Sequence, residues 1–108
     1  MPHLPYRVET ATGDVLDITF PLHAETASVV RVDQILTAVL ETIDKDIQVC
    51  GETANGDVLQ ALAMALSVRA RMIHAPADVT ANLARMLVDR TSKAASDATR
   101  AEPESGNA

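Results

Sequence analysis

One stretch constrains this chain more than any other: residues 58–74 are apolar on nearly every side of a helical wheel. Val58, Leu59, Leu62, Leu66, Ala70 and Ile73 form one face, and Ala61, Met64, Ala65, Val68 and Met72 form another. Only Gln60, Ser67, Arg71 and His74 remain as a narrow polar strip. A helix with so little polar surface has to be covered on more than one side. It is either the central helix of the fold or part of an interface. A membrane span is excluded, because no apolar run approaches the roughly 18 residues that one requires.

The remainder of the chain reads as one α+β domain over residues 1–98, followed by a disordered tail over 99–108. Up to Leu22 the pattern has a period of two. Tyr6 and Val8 alternate with Arg7 and Glu9, and Leu16, Ile18, Phe20 and Leu22 alternate with Asp17 and Thr19. Thr12-Gly13-Asp14 between them is a turn signal, so the spacing predicts an antiparallel two-stranded hairpin with one buried face. From about Ser28 the period becomes helical. Val29, Val32, Ile35, Leu36, Val39, Leu40, Ile43 and Ile47 share an arc opposite Asp33, Thr37, Glu41, Asp44 and Gln48. The β-branched run Val29–Val32 also allows a strand-like start. Gly51 suits the stop of this first helix, and Thr53, Asn55 or Asp57 the N-cap of the second. A third helix starts near Ala77 or Asp78, with Pro76 in its first turn, and fades near Ala95. The expected architecture is a two-stranded hairpin packed on three helices, the second helix central.

Charge and cysteine use narrow the setting. Residues 1–60 carry ten acids and three bases, whereas residues 61–108 carry five acids and six bases. The halves can satisfy each other within a subunit or across a dimer, and no strong positive field for nucleic acid exists. Cys50 is the single cysteine and reads as a small packing residue at a helix end. The first residues have no basic and apolar signal pattern. A cytoplasmic protein is expected, without membrane or nucleic-acid partners.

The motifs of common chemistries do not assemble. Gly13, Gly51, Gly56 and Gly106 are too scattered for a phosphate-cradling loop. His3, His23 and His74 lack zinc spacing, and a calcium loop counted from Asp44 places Val49 and Asn55 where glycine and glutamate are needed. No serine lies in a nucleophile-elbow context. No metal or cofactor is expected. Arg85 and Arg90 on the third helix suggest a recognition helix, but Asp78 and Asp89 share that helix.

Two arginines stand out. Arg69 and Arg90 fall inside the apolar arcs of the second and third helices, where a guanidinium must reach water or meet an anion. An ion pair with Glu41 or Asp44 would satisfy Arg69. Convergence of Arg69 and Arg90 on a carboxylate or phosphate, with Arg71 and His74 as a second patch, would instead make a small-anion site. The leading expectation is a non-enzymatic accessory or regulatory protein that works through protein contacts as a homodimer. Dimerisation would run through a sheet continued across two hairpins, or through a helix interface at Met64, Val68 and Met72. An anion-binding protein or small enzyme around Arg69 and Arg90 is the alternative.

Overall fold

The change from a two-residue to a helical period sets the element order in the computed structural model, which describes residues 2–9, 13 and 15–101, the last three as backbone only. Strands β1 (His3–Glu9) and β2 (Val15–Pro21) are followed by helices α1 (Val29–Cys50), α2 (Asn55–Arg71) and α3 (Ala77–Ser96) and a short strand β3 (Thr99–Ala101). This is the expected α+β order of a hairpin followed by three helices. Two compact units emerge, one from residues 1–40 with 90–108 and the other from 41–89.

In the first unit, β1 and β2 pair antiparallel with Leu4 opposite Phe20, Tyr6 opposite Ile18 and Val8 opposite Leu16. The even-numbered residues therefore share one face. Leu4, Ile18 and Leu22, at 6%, 7% and 7% exposure, are the buried apolar residues among those described. Tyr6 and Phe20 pack with ring centroids 6.4 Å apart. The Tyr6 hydroxyl lies 2.8 Å from Thr37 Oγ1, and Thr37 Oγ1 donates to Asp33 Oδ1 at 3.4 Å. This polar chain explains how α1 is turned. Thr37 and Asp33 are half-buried beside Leu36 and Leu40, while Val32, Ile35 and Val39 are exposed. A phenol at the edge of an apolar face needs a partner, and the helix supplies one from its polar stripe.

β2 also pairs with β3, Asp17 opposite Thr99 and Val15 opposite Ala101, giving the sheet order β1-β2-β3. Residues 99–101, read from sequence as the start of a disordered tail, are thus a strand: a three-residue strand of Thr, Arg and Ala has too little pattern to announce itself. Residues 102–108 of that tail, and Thr12 and Asp14 of the turn, lie outside the described residues; Gly13 has the positive φ of 91° that the turn signal implied. Leu22 donates its N–H to the Pro2 carbonyl at 2.8 Å, which makes even pairs the hydrogen-bonded ones. Pro5, opposite Thr19, then has its nitrogen on the open side of β1.

Local signals govern the helix ends. The Arg31 N–H donates to Ser28 Oγ at 3.2 Å, so Ser28 caps α1 and Val29 begins as helix rather than strand. Gly51 ends it with φ 95°. The cap of α2 is Ala54, without a side-chain hydrogen bond, because Thr53 turns its hydroxyl back to the Gly51 carbonyl and Asp57 lies inside the first turn. α2 stops at Arg71, short of His74; Ala75 bonds back to the Ile73 carbonyl ahead of Pro76, whose ring disfavours helix at the preceding residue. Cys50 is exposed rather than packed, its thiol 3.9 Å from Asp46 Oδ1. No helix among the described residues is long and apolar enough to cross a membrane.

Neighbouring residues on opposite sheet faces should respond differently to truncation. Ile18→Ala should cost about 2–5 kcal/mol in urea unfolding. Thr19→Ala, on the outer face, should cost less than about 1 kcal/mol.

Candidate functional site

Two surfaces merit attention, one polar and one apolar. The polar one is a cleft of about 400 Å³ in the first unit, lined by His3, Asp17, Thr19 and Pro21 from the outer sheet face and by Arg90, Lys93, Ala94, Asp97 and Ala98 at the end of α3. Odd-numbered strand residues point outward here because the even ones are committed to the core. Arg7 and Asp17 are opposed across the strands and form a two-pronged pair, Nε to Oδ1 at 2.7 Å and Nη2 to Oδ2 at 2.9 Å. The Arg7 hydrogen bonds hold the Asp17 carboxyl below the usual carboxylate range, and the same contact raises Arg7. Lys93 and Asp97, one helical turn apart, pair at 3.5 Å. Arg90 has no ion pair with a described residue. The cleft therefore carries two carboxylates against Arg90 and Lys93. A bound anion would have to outcompete Asp17 and Asp97.

The apolar surface is on α2. Met64, Val68 and Met72 are 57%, 59% and 57% exposed, and Leu59 and Ile73 are open as well. Only Val58, Leu62 and Ala70 of this helix reach half-burial, and none of its side chains is fully buried. The face expected to be covered on two sides is thus uncovered within its own unit.

The two arginines of the expected anion site lie in different units. Arg69 belongs to the unit formed by residues 41–89 and Arg90 to the other. Arg69 is exposed and donates Nη1–H to Met72 Sδ at 3.5 Å rather than pairing with Glu41 or Asp44. It reaches water along the apolar stripe and lays its guanidinium over a soft sulfur. Because α2 ends at Arg71, the three-residue step to His74 no longer places those two on one helical face. The ion pairs among the described residues, Arg7–Asp17 and Lys93–Asp97, each stay within one half of the sequence, so neither joins the acidic front to the basic back.

Among the histidines, His23 has a structural role: its Nδ1 accepts from the Glu25 N–H at 3.0 Å and its carbonyl accepts from Thr26. No group of three or more metal-binding side chains occurs among the described residues. The sequence reading missed His3, Asp17, Lys93 and Asp97 as cleft residues. Part of the signal was present, since Arg90, Lys93 and Asp97 follow helical spacing and the odd strand positions define one face. Nothing local tells a strand face which helix end it will meet.

Compared with family models, curated proteins and solved structures, the chain matches none.

The Asp17 pair has a pH signature. A carboxyl with a depressed folded-state value adds stability that is complete above its ordinary value of 3.8 and is lost as pH falls through the lowered one. Asp17→Asn should flatten that part of the acid limb in thermal melts between about pH 2 and 5. The difference from the unsubstituted chain should shrink in high salt, because the pair is exposed.

Proposed function

We propose that this chain is a cytoplasmic accessory or regulatory protein that acts through protein–protein contacts, without catalysis of its own, and that its first partner is a second copy of itself. The observation that carries the reading is the balance of apolar burial. Among the described residues three apolar side chains are buried, while fifteen large ones are exposed.

Homodimerisation is the economical way to cover such a surface, since a two-fold axis lets one patch cover its own copy. Met64, Val68 and Met72 supply the kind of surface that does this: unbranched methionines adapt to a facing surface, and valine at the middle of the strip gives it a fixed shape. A single exposed thiol at Cys50 suits a reducing compartment, which favours the cytoplasm. A small-anion site around Arg90 is the weaker alternative. Its support is the placement of Arg90 and Lys93 in one cleft, and Asp17 and Asp97 in that cleft offset it.

Sedimentation velocity at micromolar concentration should give the mass of a dimer. Val68→Glu should shift it to the monomer while the far-ultraviolet dichroism stays helical, because Val68 is mostly exposed in the single chain. A wild-type chain that sediments at 11.5 kDa under these conditions would overturn the reading.

A further inference from the structure

We infer that the homodimer is built on an antiparallel pairing of α2 with the α2 of the second copy, centred on Met64 and closed at both ends by an ion pair between Asp57 and the partner's Arg71. The inference rests on the homodimer reading above and gives that interface its geometry. Along α2, Asp57, Ala61, Met64, Val68 and Arg71 recur at steps of four, three, four and three residues. That is the spacing of a coiled-coil seam, and at about 100° per residue it keeps all five on one stripe of the helix. The seam starts with an acid, ends with a base and is apolar between them. Asp57 and Arg71 are both exposed, and neither makes an ion pair with a described residue.

Such a stripe is complementary to itself when one copy is reversed. A two-fold axis at Met64 puts Met64 against its own copy and the small Ala61 beside the partner's Val68. The same operation carries Asp57 to the partner's Arg71 and Arg71 to the partner's Asp57, so two pairs form from one sequence feature. A parallel arrangement would instead place Asp57 against the partner's Asp57 and Arg71 against the partner's Arg71, which charge repulsion opposes. The alanine lets the two backbones approach closely, and antiparallel helices also oppose their macrodipoles. The seam from Asp57 to Arg71 runs about 21 Å at the helical rise. It forms the axis of the proposed interface.

Charge reversal tests the pairing. Asp57→Arg and Arg71→Asp should each weaken self-association about tenfold or more at low salt, because each replaces two attractions with two repulsions. The double variant D57R/R71D should restore the wild-type dimer, and so should an equal mixture of the two single variants. Far-ultraviolet dichroism should show the same helix content throughout. A wild-type dimer that the single changes leave intact, or that the double change fails to restore, overturns the pairing but leaves the homodimer reading standing. A wild-type monomer overturns both. A second measurement avoids altering the charges: with Cys50→Ser in place, Met64→Cys should give a disulfide-linked dimer on mild oxidation, and Val49→Cys should not. Linkage at Val49 with none at Met64 would also overturn the pairing.

Discussion

The structure depends on how little apolar surface one copy of this chain can bury. Leu4, Ile18 and Leu22 form a small core under the hairpin, and most large aliphatic side chains of the helices remain in contact with water. In the proposed homodimer, association would add to this burial, and the apparent stability of the folded chain would then rise with protein concentration.

Elements specified by a local pattern were legible from sequence. The two-residue alternation put Tyr6 and Val8 with Leu16, Ile18, Phe20 and Leu22 on one face of a hairpin, and the pairing keeps them on one face; Leu4 and the register itself come from the structure. Ser28 and Gly51 bound α1 because a hydroxyl cap and a left-handed glycine act within one helical turn. What the sequence left open was decided at longer range. The wheel of α1 put Thr37 on the water side, yet the Tyr6 hydroxyl, 31 positions away, holds it half-buried. Ile35 and Val39, from the apolar arc of the same wheel, are exposed instead. β3 was illegible because its pairing comes from β2 and not from its own three side chains.

The candidate surfaces divide along the same line. Met64, Val68 and Met72 were visible because a helical wheel is a local construction, and all three are exposed. Arg69 also stood out on its wheel, but its neighbour is the Met72 sulfur, a contact that charge matching would not suggest. The cleft joining Asp17 and Arg90 was out of reach, since strand parity and helix spacing each give half of it and the contact between them is tertiary.

Pro5 adds a constraint that concerns the sheet rather than the helices. β1 is an edge strand, and the pairing puts the nitrogen of Pro5 on its open side, where a docking strand would look for a donor. That position offers none, and the flanking His3, Arg7 and Glu9 add charge and polarity along the same strand. An edge blunted in this way resists growth by strand addition, the route by which exposed hairpins run on into fibrils. That leaves the proposed pairing of helices without competition from strand addition at this edge.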